Sequence, residues 1–274
     1  MPEPLLLASG LRKEFGSAVA VDDVSFAVEA GASLAIVGES GSGKSTCARM
    51  VVGLERPTAG TIAVDGEPWS LGGRVSRRER LRRGRKVQMV FQDPYLSLDR
   101  RQTVRDCLAE CLDLHVALDR DAREARIQQL LDQVGLDERQ ARALPRALSG
   151  GQRQRVAIAR ALAAEPRLLI LDEAVAALDV SIQAQVLNVL ADIRAATGIA
   201  FLFISHDLAV VRQVCDEVLV LHRGRVVEQG GVDAVLEAPR DPYTRRLIDS
   251  VPRPGWKPRR RRSSTPEPTP EIST

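Results

Sequence analysis

The nine residues 38–46, GESGSGKST, constrain this chain more than any other stretch. They fit the spacing G-x-x-x-x-G-K-[ST] in full, through Gly38, Gly43, Lys44 and Ser45. A loop of that spacing turns backbone N–H groups toward phosphate oxygens, its lysine reaches the β and γ oxygens, and its hydroxyl faces Mg²⁺. The pattern is informative only between a strand and a helix. Both are predicted here: SLAIVG (33–38) reads as a strand, and the loop 38–43 opens a helix running to about Leu54. The plainer reading, a glycine-rich turn with a chance lysine, does not account for that context.

A second stretch, ALSGGQRQRVAIARAL (147–162), raises a question. It reads as Ser149, two glycines, then a helix, which again presents bare backbone N–H groups to an anion. A domain binding one nucleotide does not obviously need two phosphate cradles.

The acids that complete a phosphate site come later. RLLILDE (167–173) is a continuous apolar run ending in acid, the pattern of a strand buried on both faces. Asp172 at the strand's C-terminal end is placed to hold Mg²⁺ or its water, and Glu173 to polarise an attacking water. A kinase must deliver phosphate to a substrate hydroxyl, whereas a carboxylate beside the metal acid suits water. His206 follows the strand IAFLFISHD (199–207) as a candidate γ-phosphate sensor, and Gln92, ending VQMVFQ, can orient water or metal.

Strands at 20–28, 33–38 and 86–92, a helical stretch from about Thr103 to Glu165, and then strand 167–173, helix 181–196, strand 199–207 and a further helix and strand make an α/β alternation. Alternation of that kind implies a parallel sheet with crossover helices, and the helical stretch reads as an inserted subdomain. TVRDCLAECLDLHVAL and AREARIQQLLDQVG both carry apolar residues at three- and four-residue spacing, and Gly135 sits where a helix-ending glycine would. DPYTRRLIDSVP after Pro239 reads as a short helix, and RRRRSSTPEPTPEIST as a disordered tail.

Net charge is only +3, so the molecule as a whole is no nucleic-acid polyelectrolyte, although RVSRRERLRRGRK (74–86) and RRRR (259–262) are local basic patches. Aromatic content of 3% argues against base-stacking surfaces for single strands. No apolar run approaches the roughly 20 residues of a membrane span. The acidic start MPEPLLLASG is not a signal peptide, so the protein is expected in the cytosol or on a cytosolic membrane face. Cys107, Cys111 and His115 fall on one helical stripe, but a metal site would need a fourth ligand and none is nearby. The cysteines read as small buried apolar residues.

The P-loop, Gln92, LSGGQ (148–152), LLILDE, ALD (177–179) and His206 come in the order and approximate spacing of an ABC-transporter ATP-binding subunit, which residues 5 to about 252 resemble. AVDDVSF, VQMVFQDPYLSL, FISHDLAVV and PYTRRLIDSVP are similar to the oligopeptide/dipeptide/nickel importer branch. The resemblance implies an α/β P-loop NTPase fold with a mainly parallel central sheet, an N-terminal antiparallel β subdomain and an inserted helical subdomain. It implies an ABC ATP-binding domain over 1–238 with the helical part at about 93–165, an importer-type extension over 239–256, and a tail over 257–274. It also implies ATP and Mg²⁺, with nucleotide contacts from Phe15 on adenine, from Gly38, Glu39, Ser40, Gly41, Ser42, Gly43, Lys44, Ser45 and Thr46, and from Asp179. Metal would fall to Ser45, Gln92 and Asp172, and catalysis to Glu173, His206 and Gln92.

In that family two ATPase domains face head to tail, and the signature helix of one caps the ATP of the other. Ser149, Gly150, Gly151 and Gln152 would then hold a partner's γ-phosphate, which answers the question of the second cradle. The implied partners are two transmembrane permeases, a second ATP-binding subunit (a paralogue or a second copy) and, indirectly, an extracytoplasmic solute-binding protein. The implied location is peripheral, on the cytoplasmic face of the membrane, and the implied cargo is peptides, nickel or related solutes. DEAVAALD departs from the usual DEPVSALD through Ala174 and Ala176, and SLDRR replaces the common SLNPR. The cysteine cluster of some relatives' C-terminal extensions is missing, so no iron–sulfur centre is expected.

Two other readings compete. A soluble ABC protein acting on nucleic acid or the ribosome would account for the arginine runs, but would usually carry two cassettes or a long coiled-coil insertion. A P-loop kinase has no need of LSGGQ. Arginine runs are more often solvated surface, or in the tail a contact with anionic lipid. No specific nucleic-acid partner is expected.

Overall fold

A computed structural model describes residues 3–69, 75–94 and 97–250. The expectations for the arginine run 259–262 and the tail lie outside the described residues. Ten strands form two sheets among the described residues. The smaller is antiparallel, ordered β2-β1-β4-β5, from β1 (Leu6–Phe15), β2 (Ala18–Val28), β4 (Ala59–Val64) and β5 (Glu67–Pro68). The larger is ordered β10-β9-β3-β8-β7-β6, from β3 (Ser33–Val37), β6 (Val87–Val90), β7 (Leu168–Asp172), β8 (Ala200–Ser205), β9 (Glu217–His222) and β10 (Arg225–Gly231). Its pairings are parallel except β9 with β10.

That exception corrects the simple alternation expected at the C-terminal end of the sheet. Arg223 (φ 49°) and Gly224 (φ 80°) form a two-residue turn with both φ positive, the geometry that closes a hairpin rather than a crossover. β1 is a strand that the sequence reading passed over. Its run of Arg12, Lys13 and Glu14 and its register shifts hide the alternation.

The apolar runs of the central strands are explained by burial on both faces. Leu34 and Ile36 of β3, Leu168 and Ile170 of β7, and Leu202 and Ile204 of β8 face a core shared with the antiparallel sheet and with α1 (Lys44–Val52). Their alternates Ala35, Val37, Leu169, Leu171, Phe201 and Phe203 face the helical side. That side holds α3 (Val104–His115), α4 (Arg120–Gln133), α5 (Glu138–Ala141), α6 (Gly150–Leu162), α7 (Val180–Thr197), α8 (Leu208–Val214), α9 (Val232–Glu237) and α10 (Pro242–Asp249). Gly135 (φ 64°) lies two residues past the end of α4, and Thr103 opens α3 with a reciprocal cap against Asp106.

The basic patch is partly α2 (Arg77–Lys86), whose N-cap Ser76 accepts from the Glu79 N–H at 3.2 Å. Three of its seven cations are paired within the chain. Arg82 pairs with Glu67 and Glu79, Arg83 with Glu79 at 2.8 Å, and Lys86 with Glu67 at 3.0 Å.

Candidate active site

The parallel strands deliver the site residues to one edge. Val37 pairs with Ser205, Asp172 with Ile204 and Val90 with Leu171, so the C-terminal ends of β3, β8, β7 and β6 lie side by side. Ligands in open α/β sheets bind outside those ends. The cradle, Glu173 and His206 follow them directly, and Gln92 lies two residues past β6.

The glycines of the cradle are demanded by close approach. A Cβ on Gly38 would lie 2.1 Å from the Leu221 carbonyl oxygen, and one on Gly43 2.5 Å from that of Ala20. Gly43 (φ 106°) is the N-cap of α1 and brings no side-chain acceptor, so the first-turn amides are left for a ligand. A cavity of about 530 Å³ opens there, lined by Ala20, Ser40, Gly41, Gly43, Lys44, Ser45, Thr46, Gln92 and Glu173. Gly38, Glu39 and Ser42 shape the loop behind it, and Ser42 Oγ is buried without a partner.

Lys44 is 5% exposed, and its Nζ donates to the carbonyls of Gly38 and Glu39, both at 2.9 Å. Burial pushes its pKa down, against the opposing pull of Glu173 and Asp172. An ammonium so desolvated gains by meeting an anion. Ser45 Oγ donates to Asp172 Oδ1 at 2.8 Å, and burial raises the Asp172 carboxyl above its ordinary range. A hydroxyl and a carboxylate in contact at a phosphate cavity form an oxygen pair suited to a hard divalent cation. The residues therefore fit a metal–nucleotide.

Glu173 adopts φ 47°, and its N–H donates to the Ile204 carbonyl at 2.9 Å. That departure from β7 turns its side chain into the cavity, with Oε1 3.4 Å from His206 Nδ1. Such a backbone conformation is costly for a non-glycine residue and is found where surroundings enforce it.

Other candidates are held apart from the cavity. Phe15 ends β1 at 49% exposure, on the hairpin that supplies Ala20, with Lys13 Nζ 4.7 Å from its ring centre. Asp179 is the N-cap of α7, accepting from the Ile182 N–H at 3.0 Å. Ser149 to Gln152 open α6, and none of them lines the cradle cavity. Gly150 instead lines a separate cavity of about 400 Å³ with Gln92, Ala174 and Leu178, so Gln92 stands between the two. Gln154, fully buried with Nε2 unpartnered, borders this second cavity and drew no notice in the sequence. Its only signal is a polar residue on the buried stripe of α6.

Cradle, strand-end acids and a second glycine-led helix on a mainly parallel sheet define a nucleotide-hydrolysing cassette. A family model described as ABC transporter matches residues 21–176, and one described as the oligopeptide/dipeptide transporter C-terminal region matches 227–273. The chain belongs to the ABC transporter ATPase family. It is 44% identical over 259 residues to the oligopeptide transport ATP-binding protein OppF of Bacillus subtilis, covering 93% of this chain and 84% of that one. It is 48% identical to the di/tripeptide transport ATP-binding protein DppF of Pseudomonas aeruginosa, covering 90% and 75%. Among solved structures it resembles CbiO1 of Clostridium perfringens, part of the ABC transporter complex cbiONQ (TM-score 0.78, 29% identity, 86% and 92% covered). It also resembles a dimeric ATP-binding cassette, MJ0796, bound to ADP and Pi (TM-score 0.74, 28% identity, 83% and 98% covered).

Proposed function

We propose that this chain is the ATP-hydrolysing subunit of a membrane importer for peptides, nickel or related solutes. The observation that carries the reading is an intact hydrolytic edge joined, in one chain, to the oligopeptide/dipeptide C-terminal region. The cradle amides and Lys44 bind the phosphates, and Glu173 accepts the proton of the attacking water. His206 holds the Glu173 carboxylate, while Gln92, just past β6, lines the same cavity and would orient water or metal there. Mg²⁺, held through Ser45 and Asp172 with Gln92 nearby, would neutralise charge on the β and γ oxygens.

Hydrolysis would require a second ATP-binding subunit whose cradle faces Ser149, Gly150, Gly151 and Gln152. Two permeases would carry the solute, an extracytoplasmic binding protein would present it, and this chain would sit on the cytoplasmic face. No helix among the described residues is long and apolar enough to cross a membrane, so attachment would run through the permeases. A net charge of only +3 and an aromatic content of 3% disfavour the nucleic-acid reading, since strand binding draws on a strongly cationic surface and aromatic platforms. Uptake by a deletion strain, compared across peptides, nickel and sugars, tests the proposal. Loss of peptide or nickel uptake, restored by the gene, is expected; unchanged uptake of both would defeat it.

A further inference from the structure

One contact joins the cradle to the far end of the chain. The Glu39 N–H donates to the Tyr243 hydroxyl at 3.0 Å, across 204 residues of sequence. Tyr243 lies in the first turn of α10, within the region matched by the oligopeptide/dipeptide C-terminal model.

Its placement is over-determined. Glu228 of β10 accepts from the N–H groups of Arg240 (2.8 Å) and Asp241 (3.1 Å), which pins the loop entering the helix. Asp241 caps α10, accepting from the Tyr243 N–H at 2.7 Å. The Tyr243 ring is 5% exposed and stacks on His222, with ring centres 3.9 Å apart and planes 14° from parallel. His222 ends β9, next to the Leu221 carbonyl that forbids a side chain at Gly38. Burial raises the phenol pKa, so the hydroxyl stays protonated while its lone pair accepts.

The Gly38 carbonyl and the Glu39 N–H are two ends of one peptide group. Lys44 holds the carbonyl at 2.9 Å, and Tyr243 holds the N–H. A planar peptide gripped at both ends cannot rotate without breaking both bonds. It is also the first peptide of the loop whose later residues line the phosphate cavity.

We infer that Tyr243 is a positioning residue of the nucleotide site, fixing the Gly38–Glu39 peptide so that ATP affinity depends on the docking of α10. The inference rests on the reading that this cradle binds ATP. It gives the C-terminal region a role in the ATPase itself: displacement of α10 by another protein would weaken nucleotide binding from outside the cavity.

The test is Tyr243→Phe in the full chain, which keeps the ring, the stacking and the packing. Its Kd for a fluorescent methylanthraniloyl ATP should rise about three- to tenfold, the range set by one hydrogen bond of modest net worth. Thermal midpoint should stay with the wild type, and in the assembled transporter KM for ATP should rise while kcat holds. Hydrogen exchange at the Glu39 amide should quicken in the variant, and in the wild type it should be slower than at the neighbouring Ser40 amide. Leu247→Ala, which loosens α10 without touching the hydroxyl, should weaken nucleotide binding in the same direction. A Tyr243→Phe Kd within twofold of wild type, or a wild-type Glu39 amide no better protected than Ser40, would overturn the inference. Lys44→Ala separates the two levels. If it loses nucleotide while Tyr243→Phe does not, only the role of Tyr243 fails; if wild type binds no nucleotide, the underlying reading fails as well.

Discussion

The starts of α1 and α6 look alike in sequence, each a glycine-rich turn opening a helix, yet the chain finishes them differently. The α1 end has Gly43 as its cap and no side chain to accept its amides. The α6 end is closed by a reciprocal box: Gln152 N–H donates to Ser149 Oγ at 3.3 Å, and Ser149 N–H to Gln152 Oε1 at 2.8 Å. The first end is built to be completed by a ligand. The second is complete without one, except for the amides of Gly150 and Gly151, which the box leaves outside.

The glycines differ too. Gly38 and Gly43 are forced by backbone carbonyls. Gly151 is forced by a side chain of its own molecule, since a Cβ there would lie 2.2 Å from Ile182 Cγ2 on α7. Gly150 has only an ordinary 3.6 Å neighbour in Leu178. A glycine in the signature is therefore not by itself a mark of a phosphate. Gly151 serves helix packing within the chain, and Gly150 is the one whose missing side chain the monomer does not explain.

The largest expected effect falls on the α1 side. Glu173→Gln should slow hydrolysis by about 10²–10⁴ and leave ATP binding intact, the cost of losing a general base. Phosphate release in the assembled complex measures it, and wild-type turnover would move the role elsewhere. Lys44→Ala should weaken ATP binding about 100-fold or more, because the phosphates would lose a buried cationic partner. Nucleotide titration of the isolated chain reads this directly.

On the α6 side the comparison sharpens. Gly150→Asp should leave the isolated chain's ATP affinity within about twofold, while lowering turnover of the assembly about tenfold or more through charge repulsion of a partner's phosphate. Loss of affinity in the isolated chain would mean that α6 serves its own nucleotide. Gly151→Ala should instead cost about 1–3 kcal/mol of the chain's own stability by overpacking against Ile182. Thermal melting separates the two glycines, and equal stability losses would erase the distinction between them. The smallest effect is expected from Ala176→Ser, since Ala176 is exposed and outside both cavities. A change in ATPase rate beyond about twofold would show that this departure matters.

Much of the site was legible because its signals are local. Spacing alone marked the cradle, the acids ending β7 appeared at the end of an apolar run, and Ser149 before two glycines showed a helix start. The same kind of signal was present and unused at Ser76, which caps α2 by accepting from the Glu79 N–H. The hairpin of β9 and β10 turned on the φ values of Arg223 and Gly224, and arginine is not a usual residue at such a turn.

The sequence by itself determined the class of fold, the phosphate-loop spacing and the acids that end the apolar run of β7, since each is written in a short window of spacing and periodicity. Tertiary structure alone decided that Gly151 answers to Ile182, that Gln92 lies between two cavities, and that Tyr243 grips the Gly38–Glu39 peptide. The contacts of Gly151 with Ile182, Ser45 with Asp172 and Glu39 with Tyr243 join residues 31, 127 and 204 positions apart. No local pattern carries such a pairing, because it arises only when packed strands and helices bring distant segments to the same edge of the sheet.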